Sequence, residues 1–335
     1  MEAVSQPDVR GGGCEAASLA CAVDAVSSSL LDKRLVFVTG KGGVGRTTVA
    51  AALGLAAARR GKRAIVCEVA QQERVSRALG GVGVGFEETE LAPGLWAISV
   101  DPQRAMEEYL RDRIGSRRLS ELVFENRLFQ YLTAATPGMR ELLTMGKVWE
   151  LAQLERRTPE AAPYDIVIVD APATGHGLGI MRTPRTFRDV ARVGPIRRQA
   201  DIIHSFVTGP KTGVLCVARP EEMPVNETLQ FRRALEADMG IALDAVAVNA
   251  LYPERFSAAE AACIESLDGR GSVAARTALE AARGEHARAR TQRSQLRRLR
   301  RETDDVPVLT LPFLFTPSVG LTEWGRLAAE LERSL

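Results

Sequence analysis

Cysteine, histidine and lysine are scarce in this 335-residue chain, and each scarcity removes a class of chemistry. The five cysteines, Cys14, Cys21, Cys67, Cys216 and Cys263, are scattered and form no C-x-x-C pair, so a structural zinc site is not expected. Unpaired thiols in a reducing, cytoplasmic compartment are the expectation. The three histidines, His176, His204 and His286, have no cysteine or carboxylate at ligand spacing. No run approaches the ~18 apolar residues needed to cross a bilayer, so an integral membrane protein is not expected. The alanine-rich stretch after Glu15 carries Asp24 and lacks a basic leader, which makes it a poor signal peptide. Neither sign of charge dominates: a net charge of +2 gives no global bias toward nucleic acid. Lysine occurs at positions 33, 41, 62, 147 and 211 alone, against abundant arginine. With 45% hydrophobic residues the chain can bury a sizeable core, as one large α/β domain with an insert or at most two domains.

One stretch organises the rest. Leu35–Val38 reads as a buried strand, followed by the glycine-dense turn Gly40-Lys-Gly-Gly-Val-Gly-Arg-Thr-Thr48 and an alanine-rich helix over 49–59. From Gly40 to Thr47 the spacing is that of G-x-x-x-x-G-K-[ST], a phosphate-binding loop whose backbone N–H groups curl around phosphate oxygens and whose hydroxyl holds Mg²⁺. Arg46 stands where the lysine belongs, and a second cation, Lys41, opens the glycine run.

Residues 1–13 read as disordered and 15–31 as a short amphipathic helix, together an N-terminal extension over 1–33. Strands are expected over 63–68, 95–101, 164–170, 213–218, 245–249 and 306–311, alternating with helical pattern. That alternation predicts a doubly wound, mainly parallel α/β sheet over 34–335. The segment 80–85, with its alternate glycines, neither follows a strand nor opens a helix and reads as a flexible connection. Residues 102–160 show helical spacing throughout, with Met106, Tyr109, Leu110 and Ile114 on one helix and Leu142, Leu143, Val148, Leu151 and Leu154 on another. They form a helical insert subdomain, joined by about 177–208. Its apolar faces either pack on each other or offer a groove to a partner segment. Asp170 ends a strand at the edge where open parallel sheets bind ligands, and the loop to Gly177 is suited to changing shape. A C-terminal helix over 321–331 is expected to dock on the sheet.

The phosphate loop, Asp170-Ala-Pro-Ala-Thr-Gly-His176, Pro137-Gly-Met-Arg-Glu141 and Arg219-Pro-Glu-Glu-Met-Pro-Val-Asn-Glu-Thr228 together resemble the ArsA family. That family comprises arsenical-pump-driving and tail-anchored-protein-targeting ATPases of the deviant P-loop class. The resemblance implies a P-loop NTPase fold, ATP and Mg²⁺ as cofactors, and an ATPase acting as a dimer. It implies that Gly40, Gly42, Gly43, Val44, Gly45, Thr47 and Thr48 cradle phosphates, with Thr47 and Asp170 at the metal. Lys41 resembles the lysine that reaches a partner's nucleotide, and Asp170 opens the segment that senses the γ-phosphate. Asn249, Pro312 and Phe313 match positions that hold adenine, although Asn249 could also simply end a strand.

Three departures bear on function. Glu68 stands in place of the aspartate expected to orient the attacking water, and a longer carboxylate can still polarise water from another rotamer. The arsenite-binding cysteines and the zinc-clasping C-x-x-C have no counterparts. Arg46 keeps the charge of the missing lysine but not its compact shape, which is expected to slow turnover by roughly tenfold to a thousandfold. Three readings stay open. One is a working ATPase, pairing with itself or a paralogue and serving an unknown protein client at the insert. Another is a hydrolysis-impaired regulatory subunit beside an active paralogue. The third is a partitioning ATPase on DNA or membrane, motivated by Arg283, Arg288, Arg290, Arg293, Arg297, Arg298, Arg300 and Arg301. A solvated helix face is the expected role of that run, so nucleic acid is not the expected partner.

Overall fold

The computed structural model describes residues 29–69, 73–80, 83–114, 136–157, 161–191, 193–267, 271–316 and 319–335. Most of the expected N-terminal extension, the middle of the insert and residues 81–82 of the glycine segment lie outside them. Eight strands form one sheet: β1 (Leu35–Gly40), β2 (Ala64–Val69), β3 (Thr89–Ala92), β4 (Leu95–Val100), β5 (Ile166–Ala173), β6 (Thr212–Ala218), β7 (Ala245–Leu251) and β8 (Val308–Pro312). Their order is β3-β4-β2-β5-β1-β6-β7-β8. Every pairing is parallel except that of β3 with β4. The sheet is thus the mainly parallel, doubly wound one that the alternation predicts.

Two-residue periodicity sorts the strands between two cores. Leu35, Phe37, Ile65, Cys67, Val167 and Val169 face one side. Val36, Val38, Ala64, Val66, Ile166 and Ile168 face the other. On the second side lie α1 (Arg46–Arg59) and the C-terminal α10 (Leu321–Ser334). Burial of Trp324, Leu327, Ala328 and Leu331 docks α10, while Leu321 stays half exposed. The first side is covered by α4 (Met139–Leu151), α5 (Thr174–Val190), α6 (Pro195–Val207), α7 (Glu222–Met239) and α9 (Val273–Glu302). Two short helices, α2 (Arg74–Gly80) and α8 (Ala258–Ser266), α3 (Pro102–Ile114) and a 3-10 turn at Leu30–Asp32 complete the described elements.

Because β1 lies between β5 and β6, the chain leaves it toward β2 on one side and later returns to β6 on the other. The carboxyl end of β1 is therefore the topological switch point, where open sheets bind ligands.

Several local expectations change. Strand β3 has no counterpart in the sequence reading, because its four residues, Thr-Glu-Leu-Ala, lack a β-rich apolar pattern. Helix α1 starts at Arg46 rather than at residue 49, since Gly45 with φ 91° caps it inside the loop. The expected loop after Asp170 is instead strand through Ala173 and helix from Thr174. Helix α4 ends at Leu151, and Leu154 beyond it is exposed.

Helices α3, α4 and α6 enclose an apolar groove of about 360 Å³ lined by Met106, Tyr109, Met139, Leu142, Leu143 and Ile196 among others. Charged residues brace one wall. Lys147 Nζ meets Glu108 at 2.8 Å and Glu150 at 3.1 Å, and Arg156 binds Glu150 at 3.0 Å and Glu88 at 2.6 Å. Burial pushes the Glu150 carboxyl up, but Lys147 and Arg156 outweigh it and hold the group below the usual carboxylate range. All these charges are partnered, as a buried network requires.

Candidate nucleotide site

The glycine loop runs from the end of β1 into the N-terminus of α1, where the first N–H groups have no partner within the helix and the dipole favours an anion. A Cβ built at Gly42 or Gly43 would meet nothing within 4 Å, so the loop leaves open space on that side. At Gly45 a Cβ would lie 2.3 Å from Asn249 Nδ2, and the left-handed φ already favours glycine there. Asn249, in β7 two residues before its end, donates from Nδ2 to Val44 O at 2.9 Å and accepts from Ala250 N at 2.9 Å. Its amide ties the phosphate loop to the sheet.

Thr47 Oγ1 donates to Asp170 Oδ2 at 2.6 Å. Arg46 Nη1 donates to the carbonyl of the next residue, Ala171, at 2.7 Å. Thr39 Oγ1, in β1, donates to Pro172 O at 3.2 Å. Burial pushes the Asp170 carboxyl up to about 6, with Glu68 adding to the rise and Thr47, Arg46 and Arg74 opposing it. Burial also lowers the Arg46 pKa, against the pull of Asp170, without taking the guanidinium out of its charged form.

Glu68 is the register partner of Asp170 across β2 and β5, so both point to the α1 side of the sheet. Its carboxylate is buried and accepts from Val75 N at 2.8 Å, Ser76 N at 3.3 Å and Ser76 Oγ at 3.2 Å. Both oxygens are thereby engaged at the N-terminus of α2, where a negative charge is favoured. The structure ties Glu68 to the start of α2 through three donors, two on Oε2 and one on Oε1.

Lys41 makes an ion pair within its own chain, Nζ to Glu227 Oε1 at 2.6 Å, with both side chains about a third exposed. At the far edge, Pro312 ends β8 opposite Leu251, and Phe313 N donates to Leu251 O at 2.9 Å. The Phe313 ring stacks on Tyr252 at 4.5 Å, and Phe315 meets both rings edge-on. Arg288 and Gln292 of α9 hold Tyr252 through its hydroxyl and backbone N–H, each at 2.8 Å.

The structure thus brings Gly40, Lys41, Arg46, Thr47, Thr48 and Asp170 to one sheet edge. It ties Asn249 to the loop and sets Pro312 and Phe313 at the neighbouring strand ends. Sequence reasoning missed Thr39, Glu227, Tyr252 and Arg74 as parts of this edge. Glu227 lies inside the Arg219–Thr228 motif, and Tyr252 is an aromatic directly after β7. Thr39 and Arg74 carried no distinguishing signal.

A phosphate loop at the switch point of a parallel sheet, its threonine paired with an aspartate on the neighbouring strand, defines an α/β P-loop nucleotide-binding protein. Residues 33–207, just over half of the chain, match the family model described as an anion-transporting ATPase, and the chain belongs to the ArsA ATPase family. ATPase BagA of Mycobacterium tuberculosis is 28% identical over 232 residues, 68% of this chain and 67% of that relative. ATPase GET3B of Arabidopsis thaliana is 28% identical over 199 residues, 54% of this chain and 46% of that protein. The arsenical pump-driving ATPase of Acidiphilium multivorum is 23% identical over 238 residues, 65% of this chain and 40% of its own length. Among the described residues, no helix is long and apolar enough to cross a membrane.

Proposed function

We propose that the protein is a Mg²⁺-dependent ATPase of the ArsA type, working in the cytoplasm as a nucleotide-driven dimeric switch. The observation that carries this reading is the hydroxyl–carboxylate pair of Thr47 and Asp170, 2.6 Å apart beside the phosphate loop. Two hard oxygen donors at that spacing suit Mg²⁺, and the open glycine loop suits phosphate oxygens. When bound, Mg²⁺ with ATP supplies a phosphoryl group whose transfer depends on charge neutralisation and positioning.

The chain's own groups supply the rest. Gly40 to Thr48 and the N-terminus of α1 bind anionic oxygens, Arg46 adds a fixed positive charge, and Asn249 keeps the loop in register. Asn249, Pro312 and Phe313 border the base end, with Tyr252 added by the structure. Lys41 serves a partner copy or paralogue once it leaves Glu227. Residues 102–160 and about 177–208 form a helical subdomain whose apolar groove takes an apolar segment of a protein client.

Arg46 favours a second reading, a hydrolysis-impaired nucleotide-binding subunit paired with an active paralogue, because one of its N–H groups is committed to Ala171. Arg46→Lys separates the two. A working ATPase turns ATP over measurably before the substitution, and the lysine variant speeds it by roughly tenfold to a thousandfold. Turnover that rises from background to a measurable rate, in protein that already bound ATP, supports the impaired subunit instead. The DNA reading is weaker, since Arg288, Arg293 and Arg298 are engaged with Tyr252, Glu254 and Glu302.

A further inference from the structure

Three consecutive residues at the end of β5 are stitched to the phosphate loop and the strand that feeds it. Asp170 Oδ2 accepts from Thr47, Ala171 O from Arg46 and Pro172 O from Thr39. Helix α5 begins two residues later at Thr174, and its cap residue Ala173 provides no side-chain bond. The start of α5 is also tightly seated, because a Cβ on Gly177 would lie 2.6 Å from Thr39 Oγ1 and 3.0 Å from Pro172 O. A packed contact of that kind transmits displacement instead of absorbing it. Any shift at 170–172 therefore reaches the first turn of α5.

Of the three stitches, that from Arg46 is the one made by a charged donor. A guanidinium presents five N–H groups in a planar fork, and Ala171 occupies one Nη1 direction. The remaining groups stay available to an anion on another side of the fork. A lysine ammonium radiates its three donors from a single atom, so carbonyl and phosphate would have to crowd around one nitrogen.

We propose that Arg46 is a positioning residue: through the Ala171 carbonyl it fixes the segment 170–177 to the phosphate loop, so that one side chain couples phosphate binding to the start of α5. The coupling half of this proposal rests on the ATPase reading, whereas the positioning half concerns the chain alone.

Amide hydrogen exchange tests the two halves separately, using the full chain with and without nucleotide. In nucleotide-free protein, Arg46→Ala raises exchange in a peptide spanning 173–180 roughly tenfold relative to a peptide from β2, with Arg46→Lys between it and the unchanged protein. Arg46→Gln, uncharged, repeats the measurement should the alanine variant fail to fold. With Mg²⁺ present, ATP slows exchange of the 173–180 peptide more than ADP does, and the Arg46 variants, each brought to saturation at the nucleotide concentration its own measured affinity requires, lose that difference.

Equal exchange at 173–180 in the unchanged protein and its Arg46 variants overturns the proposal, as does a rise shared equally by the β2 peptide. Loosening of 173–180 by Arg46→Ala, where the unchanged protein itself binds no nucleotide, supports the positioning half and defeats the ATPase reading. An unaltered ATP–ADP difference in Arg46 variants that turn ATP over defeats the coupling and leaves the ATPase reading intact.

Discussion

Asp170→Asn is expected to make the protein more stable and nearly inactive at once. The stability half follows from burial. Its carboxyl is raised from 3.8 to about 6, so the folded chain binds that proton more tightly than the unfolded chain does. The folded state is therefore penalised increasingly as pH rises from about 4 to about 6, and fully above that. At about 1.36 kcal/mol per pKa unit, the penalty reaches roughly 2–3 kcal/mol at neutral pH. Asparagine cannot ionise, and its carbonyl oxygen still accepts from Thr47. In EDTA without nucleotide at pH 7–8, the variant should melt several degrees higher, with the gap closing near pH 4. Turnover in Mg²⁺ and ATP should fall about 10²–10³-fold, as when a preorganised electrostatic group is removed. Thermal melts across pH and steady-state ATPase assays check both halves. A variant less stable than the unchanged protein at pH 8 would show that Asp170 is held by its partners more than it is strained by burial.

Gly40→Ala is expected to be severely destabilising. Gly40 has φ 153°, and a Cβ there would sit 2.1 Å from the backbone oxygen of Val217. Because β1 is hydrogen-bonded on both sides, to β5 and to β6, it cannot slide away from the clash. Moving the central strand would disturb both cores, so a loss of more than about 4 kcal/mol is expected. Gly42→Ala is the contrast. Its Cβ meets nothing, so denaturant melts should show stability within about 1 kcal/mol of the parent while nucleotide affinity falls. Equal midpoints for the two variants would mean that the β1–β6 spacing is softer than the geometry implies.

Much of the fold was legible because it depends on short-range pattern. Buried β-branched runs such as Ile166–Val169, separated by helical spacing, require parallel strands with crossovers. The phosphate loop was legible because glycine spacing encodes backbone conformation directly. Strand β3 escaped notice since pairing with β4 forms it, not the residues' own propensity. The segment after Asp170 read as a loop because proline and glycine are strong local breakers, yet pairing with β1 extends the strand to Ala173. Partner choice was the part least visible. Nothing in the spacing of Glu68 says that α2 will claim its oxygens, or that Glu227, 186 residues away, will meet Lys41. Such pairings are set by tertiary approach, which residue type constrains only to opposite charge or free donors.

The most direct test of the account is steady-state ATP hydrolysis by purified protein with Mg²⁺, measured against a folded Lys41→Ala, Asp170→Asn double variant. Turnover above that control is expected, slow but dependent on Mg²⁺. Turnover indistinguishable from the control would contradict it.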